Sequence, residues 1–161
     1  MNYWLMKSEP ETYSVEAWRK DKKTLWTGVR NYQARNFMTQ EMKQGDGVLF
    51  YHSNAEPSGV AGLGRVSSDG SESDPTQFDK KSDFYDPKAT RDKPIWGCVE
   101  VSWLESFARV VSLQDLRANP KLTELGVLKK GSRLSILPVT PKDFKEICRM
   151  AGSKTELLAK T

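Results

Sequence analysis

The densest group of chemically versatile side chains in this 161-residue chain is Trp26-Thr27-Gly28-Val29-Arg30-Asn31. A Trp beside a Gly can present an open ring face. Thr27 and Asn31 can bond the polar edges of a heterocycle, and Arg30 can meet a phosphate. The same residues also fit a core Trp followed by a helix-capping Asn31, and spacing alone leaves both accounts open. Lys7-Ser8-Glu9-Pro10 sets a cation and a hydroxyl at the end of a predicted strand. Side chains there either share a pocket or face water. His52 is the single histidine; it closes an apolar run and precedes Ser53-Asn54. One His excludes paired-His zinc sites, and any Ser-His or Cys-His nucleophile would have to use it. It fits a structural hydrogen bond or a polar contact at a pocket rim.

Other chemistries find little support. Gly59-Val60-Ala61-Gly62-Leu63-Gly64 has the wrong spacing for a dinucleotide fingerprint and lies inside a strand pattern. The acids between 69 and 92 lack the ordered spacing of a calcium loop. Cys98 and Cys148 have neither metal nor redox spacing and fit small buried positions in a reducing compartment. No metal and no cofactor is called for. No apolar run approaches the roughly 18 residues of a membrane span. The opening Met1-Asn2-Tyr3-Trp4-Leu5-Met6-Lys7 lacks a signal-peptide layout, so the expectation is cytoplasmic, with no membrane partner.

Charge is unevenly placed. The chain carries +4 formally, but residues 19–43 hold seven bases (Arg19, Lys20, Lys22, Lys23, Arg30, Arg35, Lys43) against two acids, a net of +5. Residues 67–92 hold seven acids against four bases, a net of −3. A basic stretch containing Trp26, Tyr32 and Phe37 supplies what exposed nucleic-acid bases require, cations for phosphates and rings for stacking. It also fits a solvated helix face with core aromatics.

Length and the 16 aromatic residues fit one domain with a real core, with no repeat and no linker. Strands are predicted at Tyr3 to Ser8, Val48 to His52, Val60 to Val66, Ile95 to Phe107, and Leu134 to Leu137 with Pro138 as its stop. The glycines of the third segment suggest bulges or a close backbone approach. Helices are predicted behind Ser14, from Asn31 to Met42 with Ala34, Phe37, Met38 and Met42 on one face, and behind Ser112. A last helix starts at Thr140-Pro141-Lys142-Asp143, carries Phe144, Ile147, Cys148 and Ala151 on its apolar face, and ends at Gly152. Residues 67–94 form the longest irregular stretch, a length usually functional or mobile. Long strands interrupted irregularly by helices argue for α+β with a mainly antiparallel, curled sheet.

Six segments, in order over residues 3–151, resemble the EVE domain family. They are Tyr3 to Pro10, Trp26-Thr27-Gly28-Val29-Arg30-Asn31-Tyr32-Gln33-Ala34-Arg35-Asn36, Gly45 to Asn54, Asp83 to Lys88, Trp96 to Val101, and Arg133 to Val139. The resemblance implies a PUA-like fold, a small curled β-barrel with peripheral helices, spanning residues 1–152. Residues 153–161 are expected as a frayed polar tail. It further implies a non-catalytic nucleic-acid-binding module that takes a modified base of DNA or RNA into an aromatic pocket. Distant similarity to YTH readers matches Lys7-Ser8 and Trp26-Thr27, making Trp26 a pocket wall and Thr27 a base contact. Tyr85 is expected as a second wall. Lys7, Ser8, Asn31, His52 and Ser53 are expected as polar contacts, and Lys22, Lys23, Arg30 and Arg35 as phosphate contacts. One departure is visible: Leu137 stands where many members have Gln. Two alternatives remain, an enzyme on a nucleobase or nucleotide-like molecule with His52 or Glu9 as base, and a small-ligand-binding module.

Overall fold

Alternation in the first strand separates two rows of side chains. Trp4 and Met6 enter one core and Tyr3 and Leu5 enter another. The computed structural model describes residues 1–130 and 133–155. Its first half runs β1 (Tyr3–Ser8), α1 (Val15–Asp21), β2 (Lys23–Leu25), α2 (Tyr32–Asn36), a π-helical turn at Phe37–Glu41, β3 (Gly47–His52) and β4 (Gly59–Val66). Then come β5 (Glu72–Ser73), a 3-10 turn at Pro75–Phe78, β6 (Gly97–Cys98), β7 (Glu100–Ser112), α3 (Leu113–Ala118), β8 (Ile136–Val139) and α4 (Pro141–Ala151).

Six strands form one sheet in the order β2-β7-β4-β3-β1-β8, and β5 pairs with β6 alone. Neighbours are antiparallel except β1 and β3, which run parallel. The α+β class and the curled, mainly antiparallel sheet with peripheral helices are thus observed. Closure stops at a half-barrel, because no ladder joins β2 to β8 among the described residues. No helix of the described residues is long and apolar enough to cross a membrane.

Both sheet faces are covered. On one, Val48, Phe50, Ala61 and Val101 meet Trp18 of α1 and Ala34 and Met38 of the following helical segment. On the other, Leu49, Val60, Leu63 and Val111 meet Leu116 of α3 and Phe144 and Ile147 of α4. The glycines of β4 serve both predicted purposes. A Cβ on Gly64 would collide with the Ser102 carbonyl and the Trp18 ring, so β7 and α1 both seat closely there, and the β4–β7 register shifts between Val60 and Gly62 and between Leu63 and Gly64.

Several boundaries differ from expectation, each for a local reason. The Asn31–Met42 helix is α-helical only to Asn36, then widens into a π turn closed by the Met42 N–H on the Phe37 carbonyl. The strand expected from Ile95 to Phe107 breaks at Val99, whose carbonyl accepts from the Trp26 backbone instead, and resumes to Ser112. Pro138 does not end its strand; β8 is an edge, where a missing N–H costs no ladder bond. Strand β2 was not anticipated, being three residues beside charged neighbours. Residues 67–94 are largely irregular but pinned. Buried Gln77 donates to the Asp74 and Trp96 carbonyls and accepts from the Ile95 and Trp96 amides. Ser153 and Thr155 hydrogen-bond the Glu105 carboxylate; residues 156–161 of the expected tail lie outside the described residues.

Candidate functional site

The C-terminal end of β1 and the chain leaving β2 converge on a cavity of about 490 Å³. It is lined by Lys7, Ser8, Glu9, Thr12, Tyr13, Thr24, Leu25, Trp26, Thr27 and Phe84. Trp26 is 7% exposed and braces its ring edge-on against Phe50, centroids 5.5 Å apart, while its backbone N–H is held by Val99. Ser8 donates its hydroxyl to the Tyr13 carbonyl, which shapes the turn carrying Thr12 and Tyr13. Tyr13 rests on Phe50 and donates to Asp21; burial first, and that carboxylate second, push its phenol up to about 12. Lys7 is half-buried and its ammonium has no hydrogen-bond or ion-pair partner among the described residues. Burial holds its pKa below the ordinary lysine value. An unpaired, partly desolvated cation in a cavity is primed for an acceptor.

Phe84 stands where the sequence pointed to Tyr85, one residue later. Two devices place it. Gly28 adopts φ +83°, and a Cβ there would lie 2.9 Å from the Phe84 ring, so only Gly permits this approach. Arg30 then ties down the Phe84 segment. Its five N–H groups are all engaged: two on the Phe84 carbonyl, and one each on the Val29 carbonyl, Asp74 and Thr76. Asp74 is the node of this clamp, accepting from the Gly28 amide, Arg30, and the Thr76 amide and hydroxyl. Burial would raise the Asp74 carboxyl, but the hydrogen bonds from Thr76, Gly28 and Arg30 outweigh it and leave the pKa below its usual value.

Of the expected base contacts, Lys7, Ser8, Trp26 and Thr27 come together in the cavity. Asn31 does not line it; its side chain accepts from the Ala34 amide as the cap of α2. His52 sits behind the wall, its Nε2 accepting from the Val15 N–H at 3.1 Å and its ring edge-on to Phe50, and burial lowers its pKa. Ser53 contributes its backbone N–H to the Ser8 carbonyl and does not line the cavity. Tyr85 likewise lies outside the lining. Arg30 has no N–H left for a phosphate, whereas Arg35 uses three of its five, on Ile95 and Asn36. Lys22 and Lys23 are exposed, with side chains that make no hydrogen bond or ion pair among the described residues. Glu9 lines the cavity and accepts from Asn54. Leu137 belongs to the core on the opposite sheet face, so its departure from the family pattern does not touch the cavity. Thr12, Tyr13, Thr24, Leu25 and Phe84 were missed. Only Phe84 carried a signal, as the neighbour of an aromatic already singled out.

A curled half-barrel whose first two strands end at an aromatic-walled polar cavity defines a PUA-like domain. The EVE domain model matches residues 2–150, and the chain belongs to the EVE domain family. Human thymocyte nuclear protein 1 is 38% identical across an alignment that covers 89% of this chain and 71% of that protein. A crystal structure of a Pseudomonas syringae protein superposes with a TM-score of 0.88 at 40% identity, covering 92% of this chain and 99% of that one. The human protein crystallised in complex with DNA containing 5-methylcytosine superposes at 0.86 with 34% identity, covering 96% and 100% of the two chains.

Proposed function

We propose that this chain is a non-catalytic reader that binds DNA and takes a modified base, 5-methylcytosine first among candidates, into the Trp26 cavity. The observation that carries this reading is the cavity itself, with aromatic walls, hydroxyls and an unpaired ammonium at one strand end. Kinship with a human protein crystallised on 5-methylcytosine DNA supports the choice of ligand. In this reading Trp26 stacks on the base, and Leu25, Tyr13 and Phe84 supply apolar surface for its methyl group. Lys7, a donor without acceptor capacity, meets the ring nitrogen and carbonyl of cytosine's pairing edge. Ser8, Thr24 and Thr27 can donate or accept. Lys22 and Lys23, and Arg35 through its remaining donors, face phosphates.

Fluorescence anisotropy with paired oligonucleotides, one carrying a single 5-methylcytosine, tests the reading. Trp26→Ala is expected to weaken the modified complex about tenfold or more, the range of a lost base–aromatic stack. Melting curves confirm that the variant is folded. A folded Trp26→Ala protein with full affinity for the modified oligonucleotide overturns the assignment. The same titration across salt concentrations is expected to show a steep loss of affinity; a flat profile removes the phosphate contacts from the model.

A further inference from the structure

Among the described residues, the exposed aromatic rings are Phe84 and Tyr32, and one cation–aromatic stack connects them. From Phe84 at the cavity, the Arg30 guanidinium lies 5.6 Å from that ring centroid and 5.1 Å from the Trp96 ring. Trp96 is buried, donates its indole N–H to Asp86, and stacks on Tyr32 with centroids 4.9 Å apart and planes 23° off parallel. Arg35 closes the series, 4.7 Å from the Tyr32 centroid. Every inner member is fixed by hydrogen bonds, and Arg30 by five of them. Tyr32 is different. It is 60% exposed, and its hydroxyl makes no hydrogen bond among the described residues. A large ring at the first position of a short helix, rigidly backed yet left in water, is poor economy for packing alone.

We infer that Tyr32 is a second stacking platform, outside the cavity, for the nucleobase that flanks the one drawn in. This rests on the reader assignment above, and three observations point to a nucleic-acid strand as occupant. The stack is continuous with the cavity wall through Phe84. A backed aromatic face accepts any base, because every base has a π face. Arg35, beside the ring, retains two N–H groups among the described residues, enough for a phosphate of the same strand. The two sites divide the work: the cavity reads the modification, and the ledge adds affinity without regard to it.

The test uses the intact chain with Tyr32→Leu, which keeps apolar cover over Trp96 but loses the ring, and Tyr32→Phe, which keeps the ring. Tyr32→Leu is expected to weaken binding about fivefold or more for modified and unmodified oligonucleotides alike, leaving their affinity ratio unchanged. Tyr32→Phe retains wild-type affinity. Making the position beside the modified cytosine abasic costs the wild type a similar factor and costs Tyr32→Leu little more, the signature of one shared contact. A Tyr32→Leu protein that binds as wild type overturns the ledge, as does one that loses only discrimination. Should the wild type fail to discriminate methylation while Tyr32→Leu still weakens DNA binding, the reader assignment falls and the ledge stands.

Discussion

The two faces of the central sheet solve different problems with the same strands. The face under α3 and α4 is filled: Leu5, Leu63, Leu116, Phe144 and Ile147 are almost wholly buried, and plain amphipathic elements cover them. The opposite face carries the π turn, the pinned 67–94 segment, the Asp74 clamp and the cavity. Alternation along β1 and β3 lets both exist, since neighbouring residues serve opposite faces. In the proposed reading, recognition is thereby confined to one side of a single layer of backbone, and a substitution on the filled face should leave it largely intact.

The largest expected effect breaks the filled face. Phe144→Ala removes a ring 4.3 Å from Tyr3 in a closed core and should cost about 3–5 kcal/mol in denaturant unfolding. Its preference for the modified oligonucleotide, measured below the unfolding transition, should equal that of the wild type. A changed preference would show that the faces are coupled.

Asp74→Asn addresses the other face and has an intermediate effect. It leaves the partly buried Arg30 without its counter-charge and should cost about 1–3 kcal/mol. Because the clamp also holds Phe84 at the cavity, the modified-to-unmodified affinity ratio should fall as well. Retained discrimination at reduced stability would mean that Gly28 alone suffices to seat Phe84.

The smallest effect concerns His52, which binds the first turn of α1 from beneath the cavity face. Its folded pKa lies below the unfolded value near 6.5, so the unfolded chain takes up the proton more readily. Its contribution is therefore complete above about pH 6.5 and is lost as pH falls through the lower folded value. His52 is the single histidine, so it should dominate the fall in stability just below about pH 6.5, and His52→Gln should flatten that part of the profile. An unchanged slope would place the proton uptake elsewhere.

Local chemistry made much of this legible in the sequence. The caps at Ser14, Asn31, Ser112 and Thr140 are all used, because a short polar side chain before an apolar run satisfies amides within three residues. Lys7, Ser8, Trp26 and Thr27 line one cavity, and strand ends and the family pattern both mark them in the sequence. The charge analysis found the basic and acidic stretches but not their relation. Arg30 from the first is the partner of Asp74 from the second, so part of the local excess is neutralised inside the fold.

What the sequence determined by itself was everything carried by neighbours in the chain: periodicity, caps, strand ends and the α+β class. Tertiary structure alone decided which donors stay available. Arg30 and Arg35 are the same residue type five positions apart, yet among the described residues one has every N–H engaged and the other keeps two, because Asp74, Thr76 and Phe84, 44 to 54 residues away, take four of Arg30's N–H groups while only Ile95 reaches Arg35 from a distance. Likewise Phe84 rather than Tyr85 became the wall, through a glycine at position 28 whose missing side chain leaves room for one ring. Hydrogen-bond capacity and excluded volume are settled by contacts distant in sequence, and no local pattern records them.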